Sequence, residues 1–168
     1  AGLKGLVGVA FNPDGSRFAS AASESILIWD TKTQKPVGQP LNYAKEDFIR
    51  VAFSPSGRLL AATTDAYGGH PARVFLWDVA RHQLMGEPVE GANFAFSPDD
   101  SLLPIARYGV LILFDLRSHR VVKGPLAGHE KNISVITFSP DGSLVASGSE
   151  DNTIMLWDVQ SQRFLGTL

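Results

Sequence analysis

The stretch that decides the fold runs from Phe138-Ser139-Pro140-Asp141-Gly142 to Leu156-Trp157-Asp158-Val159. Working outward, the same order of landmarks recurs. The Phe-Pro turn reads Phe11-Asn12-Pro13-Asp14-Gly15, Phe53-Ser54-Pro55-Ser56-Gly57 and Phe96-Ser97-Pro98-Asp99-Asp100 in the three earlier occurrences, with Phe spacings of 42, 43 and 42. Each is followed by an aromatic-Asp pair: Trp29-Asp30, Trp77-Asp78, Phe114-Asp115 and Trp157-Asp158. A proline stands 11 residues past the aromatic at Pro40, Pro88 and Pro125, and the same step in the last repeat lands on Leu168. Ordered self-similarity of this period is the mark of a repeat architecture.

Between landmarks the texture is short and β-like. First strands are predicted at Val7–Phe11, Ile49–Phe53, Phe94–Phe96 and Ile133–Phe138. Second strands follow the Pro turns, and third strands are expected at Ile26–Trp29, Val74–Trp77, Val110–Phe114 and Thr153–Trp157. Proline presets φ in such turns and glycine permits positive φ. β-branched and aromatic residues fill the strands, and no capped 3.6-residue apolar period appears. A polar turn leads to a fourth strand. Runs such as Ile154-Met155-Leu156-Trp157 imply burial on both faces of a sheet, which stacked blades would supply. Pro104, in a strand expected to be central, removes a ladder donor and predicts a bulge or a frayed sheet.

These residues resemble the WD40-repeat family of β-propellers, in the bacterial flavour whose repeats contain FSPDG and LWDV. The resemblance covers almost the whole chain. It implies an all-β fold of β-propeller blades, each of four antiparallel strands. The four blades are 1–42, 43–91, 92–126 and 127–168, in an open or partial ring. Trp29, Asp30, Trp77, Asp78, Phe114, Asp115 and Asp158 are the blade anchors. The family's structural hydrogen-bond tetrad, carried over, falls on His129, Ser147, Asp151 and Trp157, and only the fourth repeat holds all four. The second repeat has Ala62 and Ala66 where the fourth has Ser and Asp; the third has Phe114 and Ile105 for Trp and Ser.

Composition bounds the function. The chain has 168 residues, with 15 Lys and Arg against 17 Asp and Glu, a net charge of −2 and no cysteine. A bulk basic surface for nucleic acid is disfavoured, and thiolate metal sites and disulfides are impossible. A reducing, cytoplasmic setting suits the absence of cysteine. No apolar run reaches the ~18 residues of a membrane span. His129, Ser147 and Asp151 hold the ingredients of a Ser-His-Asp triad, but no Gly-x-Ser-x-Gly elbow surrounds the serine. His70, His82 and His119 lie far apart in repeat phase and predict no metal site. No Walker loop or Gly-x-Gly-x-x-Gly occurs, so no catalytic residue, cofactor or metal is expected. Arg117, Arg120 and Lys123 form a small basic turn, read as solvated or as a site for an acidic partner.

The resemblance implies a non-catalytic scaffold for a protein or peptide partner, of the kind bacterial proteins carry beside an NTPase or kinase. A propeller-type hydrolase and a purely structural, oligomerising module are the alternatives. Loop lengths point to one place. The aromatic follows its Phe by 18, 24, 18 and 19 residues, so, with the four strands of a repeat lettered a to d, the second repeat carries a longer b–c loop, Asp65 to Pro71. Loops on a rigid scaffold carry recognition. Tyr67, His70, Tyr43, Lys45, Glu46, Asp47, Arg107 and Tyr108 are the expected partner-binding face. Four blades are few for a ring of this family, so pairing with a second copy or with further blades is expected to cover the end blades.

Overall fold

Every repeat turns the same corner, Phe-x-Pro-x-Gly/Asp, and each corner closes one hairpin. The computed structural model describes residues 6–22, 24–44, 46–66, 69–122 and 126–168. Lys45, Tyr67, Lys123 and Pro125 lie outside the described residues. Among those described there is no helix, and hence none long and apolar enough to cross a membrane. The strands are β1 (Leu6–Phe11), β2 (Arg17–Ala22), β3 (Ser25–Asp30), β4 (Leu41–Asn42), β5 (Phe48–Phe53), β6 (Leu59–Thr64), β7 (Arg73–Asp78), β8 (Gln83–Leu84), β9 (Val89–Glu90), β10 (Asn93–Phe94), β11 (Leu102–Arg107), β12 (Val110–Asp115), β13 (Arg120–Val121), β14 (Leu126–Ala127), β15 (Ile133–Phe138), β16 (Leu144–Ser149), β17 (Ile154–Asp158) and β18 (Arg163–Thr167). They form four antiparallel sheets, β1–β4, β5–β9, β10–β14 and β15–β18. Each sheet is a propeller-type blade built from one continuous stretch of chain. The third sheet ends at Ala127, which pairs with Val110, one residue past the boundary at 126.

The a–b turns show why the Pro-Asp-Gly wording recurs. Gly15, Gly57 and Gly142 take φ of 70°, 71° and 73°, and in the third repeat Asp100 takes that left-handed position at 58°. The c–d turns share a second left-handed position, filled by Gln34, His82, His119 and Gln162. His82 and His119 are thus turn residues. Here the aspartate of each aromatic-Asp pair closes the turn. Asp30 Oδ1 accepts Thr33 N–H at 2.7 Å, Asp78 Oδ1 that of Arg81 at 2.8 Å, Asp115 Oδ1 that of Ser118 at 2.6 Å and Asp158 Oδ1 that of Ser161 at 2.7 Å. A carboxylate accepting local N–H groups is the mechanism of an Asx-type turn.

The fourth strands are broken rather than continuous in the first three sheets. Trp29 bridges Pro36 while Ile26 pairs with Leu41, so three steps on β3 face five on the partner. The same two-residue excess separates Leu84 from Val89 and Val121 from Leu126. Gly38 and Gly86, at φ 71° and 74°, lie in two of these bulges. The fourth repeat lacks the proline that the other three carry here, at Pro40, Pro88 and Pro125, and β18 has a bulge of one residue between Phe164 and Gly166. Leu168 therefore exchanges hydrogen bonds with Ile154, as Leu41 pairs with Ile26. It takes the place of Leu41 rather than that of Pro40, a correction to the 11-residue step.

The first strand of the third sheet is also shorter than expected: β10 spans only Asn93–Phe94. Pro104 accounts for this. Ala95 N–H donates to the Pro104 carbonyl at 3.2 Å, and proline has no N–H to return the bond. On its other side Pro104 keeps regular register opposite Leu113. The fray falls on the β10 side alone.

The chain divides into two compact units, Ala1–Glu90 and Gly91–Leu168, each holding two sheets. Within each unit one packing rule repeats. The face of a sheet bearing its third-strand aromatic, here its front, is covered by the opposite face, the back, of the preceding sheet. In the first unit Ala19, Ala21, Ile26 and Ile28 cover Val51, Leu60, Phe75 and Trp77. The small Ala19 and Ala21 leave room for rings: Phe48, Phe75 and Trp77 lie 5.2–5.6 Å apart, centroid to centroid. In the second unit Ala106, Leu111, Leu113 and Leu126 cover Ile136, Val145 and Trp157. One strand departs from the expected two-sided burial. In β17, Trp157 is buried but Ile154 is 47% exposed, because no sheet of its unit follows on that side.

Candidate functional site

The fourth sheet brings His129, Ser147, Asp151 and Trp157 together. Ser147 faces the front from β16, and Trp157 on β17 reaches it diagonally, since Val145 is the residue directly opposite the indole. Trp157 Nε1 donates to Ser147 Oγ at 3.1 Å. His129 Nε2 lies 2.9 Å from the same oxygen, and Nδ1 lies 3.0 Å from Asp151 Oδ2 and 3.0 Å from Thr153 Oγ1. One set of protons satisfies every member. The indole N–H donates to the serine oxygen, the serine O–H donates to Nε2, and Nδ1–H donates to the carboxylate. The His129 ring and the Asp151 carboxylate are 0% and 8% exposed.

Thr153 is a fifth member, which the family tetrad does not name. Its hydroxyl donates to Asp151 Oδ1 at 2.5 Å and its N–H to the same oxygen at 2.9 Å, while Glu130 N–H donates to Oδ2 at 2.9 Å. These donors, the Thr153 hydroxyl first, hold the Asp151 carboxyl well below the usual carboxylate range. The signal was available in Asp151-Asn152-Thr153, where a threonine two past an aspartate favours a side-chain-closed turn.

The buried chain is not disposed as a nucleophilic triad. Ser147 is fully buried and its oxygen is shared by the indole and the imidazole, so a substrate carbonyl has no approach to it. The other sheets keep less of the network. Trp29 Nε1 donates to Ser20 Oγ at 2.8 Å in the first. In the second Ala62 faces the Trp77 side, and in the third Phe114 and Ile105 replace the polar pair with apolar contact.

The expected partner-binding face divides. In the first unit Glu46, Asp47 and His70 line one concavity of about 480 Å³ with Ile49, Thr64, Asp65 and Arg73. Arg73 Nη2 pairs with Glu46 Oε1 at 2.5 Å, which ties the loop before β5 to the start of β7. Asp47, Asp65 and His70 are exposed. The half-buried ring of Tyr43 packs 5.1 Å from Phe75 against the core of the first unit. In the second unit Tyr108 is 68% exposed in the two-residue β11–β12 turn, at φ 54°, with exposed Arg107 beside it. Arg117, in the β12–β13 turn, and Arg120, the first residue of β13, are exposed. Among the described residues no group of three His, Asp or Glu side chains is placed to hold a metal ion.

Four-stranded antiparallel blades with a buried Trp-Ser-His-Asp chain define a β-propeller type of repeat. The family model for the WD domain, G-beta repeat, matches residues 3–30 and 120–158. The chain is 32% identical over 167 residues to WD repeat-containing protein SL1-17 of Schistosoma mansoni, covering 96% of this chain and 53% of that protein. It is 34% identical over 163 residues to echinoderm microtubule-associated protein-like 2 of Homo sapiens (91% and 24%). It is 27% identical over 155 residues to the transcriptional corepressor LEUNIG_HOMOLOG of Arabidopsis thaliana (89% and 19%). Together with the strand order of all four sheets, these matches support the WD40-repeat family for this chain. The chain spans about half the length of the first relative and about a quarter or less of the other two.

Proposed function

We propose that the chain is a non-catalytic interaction module that holds a protein or peptide partner at the concavity of the second blade. The observation that carries this reading is the convergence of Glu46, Asp47, Asp65, His70 and Arg73 around exposed polar groups and the apolar Ile49. The long b–c loop supplies one wall and the loop before β5 the other. Mixed apolar and charged lining on a rigid sheet suits recognition of a short segment. The relatives' names agree in kind, one being a transcriptional corepressor and another a microtubule-associated protein. They are animal and plant proteins and lend no support to the bacterial wording of the repeats or to an adjoining NTPase or kinase. A reducing compartment such as the cytoplasm suits a chain without cysteine.

The test is a peptide selection. Peptides are selected from a random library on the 168-residue chain and measured against two variants. Asp47→Lys with Asp65→Lys alters the concavity, and Asp14→Lys alters an a–b turn. Binding is expected to fall about tenfold or more, ~1.4 kcal/mol, on the first variant and to persist on the second. Equal binding to both variants contradicts it.

A further inference from the structure

The loop before β5 is fastened to one row of side chains on β7. Arg73, Phe75 and Trp77 alternate along that strand and so share its front face. The Arg73 guanidinium pairs with Glu46 at 2.5 Å, and the Phe75 ring lies 5.1 Å from that of Tyr43. Phe48, which ends the loop, packs on Phe75 and Trp77 at 5.2 and 5.5 Å. The Glu46 N–H donates to the Tyr43 carbonyl at 3.2 Å and closes the loop on itself. By register the same row carries the tetrad in the fourth sheet. Phe75 stands opposite Ala62 as Met155 stands opposite Ser147, and Arg73 lies two before Phe75 as Thr153 lies two before Met155. The loops entering the two sheets are of equal length, from Leu41 to Phe48 and from Leu126 to Ile133. In the fourth sheet His129 holds the loop through Asp151 and Ser147. By count the second sheet has Ala44 and Ala62 in the places of His129 and Ser147, so neither imidazole nor hydroxyl is there to hold it. Aromatic rings and one ion pair do so instead.

We propose that Glu46 and Arg73 are positioning residues of the partner site, their ion pair latching the loop before β5 onto β7 and holding that wall in place before a partner arrives. The inference rests on the reading of the second-blade concavity as the partner site. Arg73 begins β7 where the long b–c loop ends, and Glu46 neighbours the exposed Asp47, so the pair ties the two walls together. Both side chains are half-buried, at 29% and 21% exposure, and a partly buried pair is screened less than a solvated one. The Arg73 Nε–H is buried without a hydrogen-bond partner, so the guanidinium is held through its contact with Glu46. A wall already in place spares the partner the cost of ordering it. Where only a fraction of molecules hold the wall, apparent affinity falls by that fraction.

Glu46→Gln, Arg73→Gln and the double variant of the 168-residue chain form a cycle that is read in two ways. Amide hydrogen exchange of the free chain at residues 42–44 and 46–48 reports the latch with no peptide present. Stopped-flow binding of a peptide selected on the parent chain reports its effect on the site. Circular dichroism and melting check the fold, and Arg73→Met, which keeps the apolar stem, replaces Arg73→Gln if that variant is not folded. Each single variant is expected to exchange faster in the loop and to slow association about fivefold, with dissociation unchanged. The double variant is expected to fall no further than the more affected single one, because either substitution already opens the latch. Unchanged exchange in all three variants overturns the proposal. So do losses that add in the double variant or that fall on dissociation, which would mean that the two side chains touch the partner themselves. Failure of the partner-site reading shows separately, as a peptide that binds equally after Asp47→Lys with Asp65→Lys, while the exchange result stands on its own.

Discussion

The hydroxyl of Ser147 accepts the indole N–H of Trp157 at 3.1 Å in a fully buried site. That contact joins the two central strands of the fourth sheet, and the same oxygen serves His129. Ser147→Ala leaves the indole N–H and His129 Nε2 without this partner. An unsatisfied buried polar group costs about 1–3 kcal/mol, so the loss expected is about 2–4 kcal/mol by urea unfolding. Ser20→Ala, beside the half-buried Trp29, is expected to cost about 1 kcal/mol because water can replace the hydroxyl. Equal losses at the two sites would contradict a buried network in the fourth sheet.

The Asp151 carboxyl is held low by the Thr153 hydroxyl, by the Glu130 and Thr153 N–H groups and by His129. Its folded value therefore lies below the unfolded value of about 3.9. The stability it contributes is fully present above that pH and is lost as pH falls through the folded value. Unfolding measured from neutral pH down to about 2 should show a shallower acid loss in Asp151→Asn than in the parent. Asp141 gives a local check. Donation first from the Ser139 hydroxyl and then from Ser143 holds it down to about 2. Ser139→Ala should raise the midpoint followed by carboxyl NMR, and an unchanged midpoint would remove that hydroxyl as the cause.

Much of this was legible in the sequence, for reasons that differ by residue. The four repeats announced themselves because the turns need particular backbones: proline before, glycine or aspartate at the left-handed position. The role of the Trp-Asp aspartates was legible only as a landmark, since an Asx-type turn depends on which N–H groups fold back. The contact of the Tyr43 ring with Phe75 was not legible, because loop position alone does not show where a ring packs. Leu168 was misplaced by one because bulge size is set by local backbone, not by counting. Pro104 was legible on general grounds, although which neighbouring strand would fray was not.

Gly109 shows a constraint invisible in spacing. A Cβ added there would meet the His129 carbonyl oxygen and come within 3.2 Å of that of Lys131, both backbone atoms that cannot swing away. Gly109→Ala is expected to cost about 1–3 kcal/mol and to disturb the amide signals of residues 129–131. Gly166→Ala meets nothing within 4 Å and is expected to stay within about 0.5 kcal/mol of the parent. Comparable losses in the two variants would mean that close approach is not the cause.

Pro104→Val restores a backbone N–H opposite Ala95, whose own N–H already donates to the carbonyl of residue 104 at 3.2 Å. The new amide is expected to be protected from hydrogen exchange, with slower exchange at Ala95, because an antiparallel hydrogen-bonded pair exchanges two bonds. Rapid exchange at residue 104 would show that β10 ends for another reason.

The central claim is that the second blade's loops form the partner site. The most direct measurement is amide chemical-shift mapping of the 168-residue chain with a selected peptide added. The perturbed amides are expected to cluster at residues 46–47, 64–66, 69–70 and 72–73. Perturbations confined to the a–b turns or to the front of the first sheet, or none at saturating peptide, would contradict it.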